Sequence, residues 1–146
     1  MYLTSQFTGP VPGGVLLEAN AVPYVCKIDI DLYRCAAKDI CSDEVIVTEK
    51  QIEHICRRHG GDYGRYAKYL PEVLQRPDYI LADNKPNTAI VLKKLEAGLK
   101  LVLRLKTPAD AQKYKNSIIT FQKVEEKRYQ RYTRSARVLY KREGLE

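Results

Sequence analysis

Two periodicities divide the chain near Pro77. Before it, apolar residues recur at helical spacing, and after it they alternate with polar ones. VCKIDI, from Val25, alternates well enough for a short strand, and DLYRCAAKDI puts Leu32, Cys35, Ala36 and Ile40 on one helical face. DEVIV reads as a short extended segment leading into the best-signalled element. There Thr48 stands as an N-cap with Gln51 three residues on, the spacing of a capping box, and Gly60-Gly61 supplies the stop. Glu49 to His59 is therefore predicted helical. At about 100° per residue, Ile52, Ile55, Cys56 and His59 share one side, and His54 lies nearly opposite Ile52. GDYGRYAKYLPEVLQRPDY predicts a shorter helical region, with Tyr66, Leu70, Val73 and Leu74 inward and Pro77 beyond its end.

After Pro77, DYILAD, TAIVLKKL, KLVLRLKT and SIITFQK read as successive strands separated by the turn-rich DNKPN and KTPADAQKYKN. VEEKRYQRYTRSAR predicts a basic helix leading to a last edge strand, VLYKRE. The expected architecture is α+β, N-terminal helices packed on a small antiparallel sheet. Residues 1–24, which contain GPVPGG, read as an N-terminal arm, and residues 25–146 as a single domain.

KLVLRLKT is the informative strand. Leu99, Leu101, Leu103 and Leu105 occupy one face, and Lys100, Val102, Arg104 and Lys106 the other, in steps of about 7 Å. A solvated sheet face normally mixes charge signs, and this strand presents cations without a carboxylate. In NSIITF, aromatic and aliphatic bulk assigns Ile119 and Phe121 to the core, together with Ser117 by alternation. Thr120 is then placed on the cationic face, where a hydroxyl can hold a phosphate oxygen.

Charge distribution adds a direction. Residues 1 to 80 carry 9 Lys or Arg against 11 Asp or Glu, whereas residues 81 to 146 carry 16 against 7, within a net charge of +7. A basic half on a near-neutral half is the electrostatic footprint of a protein that meets phosphates. Cys26, Cys35, Cys41 and Cys56 form no CxxC pair, which argues for reduced thiols in a cytoplasmic protein rather than a disulfide framework or a zinc knuckle. Apolar runs such as IITF are far below membrane-spanning length, so no membrane association is expected. Acidic residues do not cluster on the basic strands, which argues against a two-metal site, and no metal or cofactor is expected.

HICRRH within a helix, PDYI, DNKPNT, LVLRLKT, NSIIT and VLYKRE, in this order, resemble the phage-associated branch of the barnase/EndoU/colicin/RelE-like nuclease superfamily over about residues 25 to 146. The resemblance implies helices packed on an antiparallel sheet and a toxin-like hydrolase of prophage or mobile-element origin. It further implies a metal-independent endoribonuclease. Gly60 stands where the family pattern often has Pro, and Tyr129 where it often has Trp. Neither departure removes a proton-transfer group.

Cleavage through attack by a 2′-OH needs a base, an acid for the departing 5′ oxygen and fixed positive charge for the phosphorane. His54 and His59 are the only histidines. His59, in the last helical turn, is placed where the helix dipole favours the protonated form, suiting an acid or electrostatic role. His54 becomes the base if RNA reaches its side of the helix. Helix geometry favours a one-histidine arrangement of His59 with Lys106, Arg104 and the Ser117 and Thr120 hydroxyls. Arg58, Lys85 and Lys100 are candidate RNA contacts, Lys85 with a turn role as its rival. Two other readings stay open: a non-catalytic RNA- or DNA-binding module on the same fold, and a phage component that binds an acidic protein. A neutralising or immunity protein is a further expected partner.

Overall fold

The computed structural model describes residues 24–112 and 114–145, so the expected arm lies outside the described residues except for Tyr24. Tyr24 opens strand β1, Tyr24–Lys27, which pairs antiparallel with β2, Glu44–Ile46. Between them the expected helix is a single turn, α1, Ile30–Tyr33, capped by the Asp29 carboxylate, which accepts from the Asp31 amide at 3.0 Å. The buried residues are Tyr33, Ala37 and Ile40; Leu32 and Ala36 pack against the core half-buried, and Cys35 is exposed. Tyr33 displaces the expected face because its hydroxyl finds a buried partner, donating to the Leu74 carbonyl at 2.7 Å.

Helix α2 spans Glu49–His59 with the expected ends: Thr48 Oγ1 accepts from the Gln51 amide at 3.1 Å, and Gly60 leaves the helix at φ 58°. Ile55 is buried and Ile52 half-buried, whereas Cys56, expected on the same side, is exposed. The next helical region is broken into α3, Asp62–Tyr66, a 3-10 turn at Ala67–Tyr69, and α4, Leu70–Gln75. Its inward residues, Tyr66, Leu70, Val73 and Leu74, are those predicted.

Strands β3, Tyr79–Ala82, β4, Thr88–Lys94, β5, Gly98–Arg104, and β6, Asn116–Val124, form an antiparallel meander. Helix α5, Glu126–Thr133, then leads to β7, Val138–Lys141, which pairs with β3 at the sheet edge. The sheet runs β1-β2-β6-β5-β4-β3-β7. It is larger than expected and not wholly antiparallel, since β2 pairs parallel with β6 through Val45 and Ile46 opposite Asn116 and Ser117. That parallel pair needs the long crossover of helices between the two strands.

Both faces carry apolar packing. On one, Leu99, Leu101, Leu103, Leu105, Ile118 and Phe121 meet Ile55, Tyr66, Leu70, Val73 and Leu74 of the helices. On the other, Tyr129 of α5 packs on Tyr79, Leu81, Ile90, Leu92 and Val124. Gly98 permits this packing: a Cβ there would sit 2.9 Å from the Tyr129 ring and 3.0 Å from the Val124 carbonyl. Helix α5 covers β3, β4 and, at Gly98 and Val124, one end of β5 and β6, and leaves the rest of this face of β5 and β6, at Arg104, Ser117 and Thr120, open.

Candidate nucleic-acid interface

Alternation along β5 sends its leucines into the helix-covered core, where Leu99, Leu101 and Leu103 are fully buried. Lys100, Val102 and Arg104 therefore face the other way, each half-buried. In β6 the expected alternation fails. Val102 lies opposite Thr120 and Leu103 opposite Ile118, so Ile119 is an extra residue in a bulge. Ile118 and Phe121 are the buried residues, and Ile119 is not. The bulge has a functional consequence. It puts Ser117, opposite Arg104, and Thr120, opposite Val102, on the same open face, whereas strict alternation separates them.

At the pocket where β5 ends and β6 begins, about 280 Å³ is lined by Gln51, Arg104, Lys106, Asp110, Tyr114, Lys115, Ser117 and Ile119. Its wall is held by a fully buried amide. Asn116 Oδ1 accepts from the Lys106 backbone N–H at 2.7 Å, and Nδ2 donates to the Ser42 and Glu44 carbonyls at 2.6 and 3.0 Å. One side chain thus ties the end of β5 to β2 and orients two cationic positions. The cations are not bare. Arg104 pairs with Asp110 at 2.9 Å, Lys106 Nζ donates to the Gln112 carbonyl at 3.0 Å, and Lys115 pairs with Glu44 at 2.9 Å. Asp110 corrects the expectation of a face without carboxylates: the loop supplies what the strand omits. The Thr107 amide first, and Arg104 with it, hold the Asp110 carboxyl below its ordinary range.

Neither histidine lines this pocket. Helix α2 runs alongside β6, with Gln51 at the pocket and Asp62, just past the helix, accepting from the Lys123 amide at 3.0 Å. His59 lies eight residues beyond Gln51, about 12 Å along the axis. His59 is within reach of the Lys100 charge and does not line the pocket with Arg104 and Lys106. The expected protonation is also reversed. Burial first, then the charge of Arg58, lowers the His59 pKa, with Lys100 and His54 acting the same way and Asp62 opposing them. The balance of these effects biases His59 toward the neutral imidazole.

The remaining positions divide. Lys100 donates to the Tyr132 hydroxyl at 2.9 Å and lies 5.0 Å from that ring's centre, at the margin of α5. His54 and Arg58 are exposed on α2. Lys85 is exposed in the β3–β4 turn, where its amide donates to Asp83, and Asn87 takes φ 56°; neither lines the pocket. Tyr114, Lys115 and Gln51 are pocket residues that pattern reading missed. An aromatic beside lysines in the KYKN loop was the available signal for the first two. Among the described residues, no three His, Cys, Asp or Glu side chains group as a metal-binding set, and no helix is long and apolar enough to cross a membrane.

The model of the family phage-Barnase-EndoU-ColicinE5/D-RelE like nuclease 2 matches residues 31–141. The chain belongs to this family. The match runs from α1 to the last residue of β7 and takes in the α2 helix, the open face and the α5 helix. Membership in this phage-associated nuclease family makes phosphodiester cleavage the relevant class of chemistry. No curated protein and no solved structure matches the chain.

Proposed function

We propose that the protein is a metal-independent endoribonuclease that binds a single RNA strand across the open face of β5 and β6. The observation that carries this reading is the convergence of Arg104, Lys106, Lys115 and Ser117 on one pocket beside the exposed ring of Tyr114. Such a set suits a phosphate and a stacked base. Thr120 lies one row further along β6 and Lys100 beyond it, toward His59.

In this reading the pocket holds a phosphate next to the scissile one, and chemistry takes place at the His59, Thr120 and Lys100 end. Neutral His59 takes the 2′-OH proton, the 2′ oxygen attacks its own 3′ phosphate, and Lys100 stabilises the charge of the phosphorane. The Thr120 hydroxyl donates to a non-bridging oxygen. The P–O5′ bond breaks, the departing 5′ oxygen takes a proton from water, and the His59 imidazolium returns its proton to solvent, leaving a 2′,3′-cyclic phosphate and a 5′-hydroxyl. His54, exposed on another side of the helix, has no part in this arrangement.

The test is cleavage of a defined RNA in EDTA. His59→Ala is expected to lose about 10²- to 10⁴-fold in kcat, the usual range for a lost acid-base group, with RNA affinity retained. Lys106→Ala is expected to raise KM with little change in kcat, because it holds a neighbouring phosphate. Full activity of His59→Ala would overturn the mechanism. A collapse of kcat in Lys106→Ala at unchanged KM would instead place the reacting phosphate in the Arg104 pocket, with fixed cations and no histidine. Salt-sensitive binding without cleavage of any RNA would favour the binding-module reading.

A further inference from the structure

A second cationic concavity lies across the sheet from the first. About 340 Å³ is lined by Arg128, Arg131 and Tyr132 of α5 and by Ser135 and Arg137 of the turn that follows, above Leu81 and Ile90. Three arginines stand in its lining with no carboxylate among them, whereas the first pocket holds Asp110. Unlike Arg104 and Lys115 in the first pocket, none of the three is engaged in an ion pair among the described residues. Arg137 is steadied by the Asn84 side-chain oxygen, and Ser135 caps the turn by accepting from the Arg137 amide at 3.0 Å.

The two pockets share one surface. Leu81, Ile90, Val102 and Thr120 stand directly opposite one another on β3, β4, β5 and β6. At about 4.8 Å per strand, Ile90 under the second pocket is roughly 10 Å from Thr120, and the Arg104–Ser117 row is about 7 Å further along the strands. Lys100 bridges the gap, since its ammonium donates to Tyr132, which lines the second pocket. A strand leaving the Arg104 pocket and passing Lys100 thus meets Tyr132 and the three arginines within a few nucleotides.

We propose that Arg128, Arg131 and Arg137, with Tyr132 and Ser135, form a second nucleotide subsite, which binds the phosphate and base of a residue flanking the scissile position. The inference rests on the reading that a single strand crosses the open face, and it does not depend on cleavage. Guanidinium planes and a tyrosine ring suit this ligand because they stack on bases and bind phosphate oxygens in pairs. An acidic polypeptide is the other anionic occupant. The pocket's concave form and its continuity with the first pocket favour the nucleotide.

The experiment measures anisotropy of fluorescein-labelled 2′-O-methyl oligonucleotides of two to eight residues, which lack the attacking hydroxyl, against the full chain at several salt concentrations. Arg131→Ala/Arg137→Ala is expected to bind the dinucleotide as the unaltered chain does, and the hexamer about 10- to 100-fold more weakly. Its log affinity against log salt is expected to be shallower by about 1.4, the slope lost with two phosphate contacts to a single strand. Arg131→Lys/Arg137→Lys is expected to restore the slope and only part of the affinity. Unchanged hexamer affinity in the alanine variant would overturn the subsite. Unchanged hexamer affinity together with lost poly-glutamate binding would assign the pocket to an acidic polypeptide. If the unaltered chain binds no oligonucleotide, the subsite and the RNA reading fall together. If it binds but cleaves nothing, only the nuclease reading falls.

Discussion

Leu103 and Arg104 are neighbours in the chain and inhabit different media. Leu103 is fully buried under the helices, and Arg104 sits half-buried on the open face, paired with Asp110 from a loop. The core side of β5 is uniform because packing admits only apolar volume there. The open side admits charge: Arg104 is held by Asp110 and Lys100 by the Tyr132 hydroxyl. In the proposed reading, stability and function are distributed over alternate residues of one strand. The two sides should respond to substitution in opposite ways.

The largest expected effect comes from breaking the core side. Leu103→Ala leaves a cavity between sheet and helices and should cost about 2–5 kcal/mol, read as a lowered denaturant midpoint. Arg104→Ala should change stability by less than about 1 kcal/mol, because its partner Asp110 keeps the Thr107 amide at 2.8 Å, yet it should weaken RNA binding about tenfold. Equal stability losses would mean that the Arg104–Asp110 pair is structural and that the two sides of the strand are not divided in this way.

Next is the residue that joins the two sides. Asn116→Ala removes the partner of the Lys106 amide and of two carbonyls, all at the β2–β6–β5 junction. Each buried group left unpaired costs about 1–3 kcal/mol, moderated where water enters. Because Lys106 loses its anchor as well, RNA affinity should fall together with stability. A variant that loses stability and keeps RNA affinity would show that the pocket does not depend on this junction.

How far the sequence disclosed this division depends on the signal in each element. Helix α2 was legible because its information is local: Thr48, Gln51 and Gly60 sit within one short stretch and interact with each other or with their own backbone. The leucine face of β5 was legible because alternation over seven residues is hard to satisfy by chance. The bulge at Ile119 was not, since an extra residue in one strand is defined only relative to its partner. Without it, Ile118 and Ile119 exchange places and Ser117 faces the core. Asp110 was missed as a counter-charge, and the Arg128, Arg131 and Arg137 group as a surface, for the same reason: each depends on how a loop or turn folds back on its neighbouring element, which periodicity does not encode. The protonation of His59 was misjudged because the dipole is local, whereas burial and Lys100 come from the fold.

That reversal gives a pH prediction. With its pKa below the ordinary 6.5, His59 is a competent base at neutral pH. The profile of kcat/KM should therefore rise along a limb centred below 6.5 and stay flat above it, and His59→Ala should abolish the limb. A rate that falls with rising pH through this range would make the imidazolium the working form. The linkage has a definite sign. The native state binds this proton less readily than the unfolded chain, so the stability His59 contributes is present above 6.5 and is lost as pH falls through the folded-state pKa.

The smallest expected effect sharpens the comparison most finely, because it keeps shape and changes one polar group. Thr120→Val retains the β-branched bulk that suits a strand, and Thr120 lies opposite Val102, so a second valine there meets an apolar neighbour. Stability should stay within about 0.5 kcal/mol, the common range for substitutions outside the core. If the hydroxyl donates to a phosphate oxygen during cleavage, kcat/KM should fall about tenfold, the worth of one hydrogen bond to a charged group. Because that bond strengthens as charge builds on the phosphorane, the loss should be in kcat and not in KM. Unchanged kinetics would make Thr120 an ordinary strand residue and confine the functional part of β6 to Ser117.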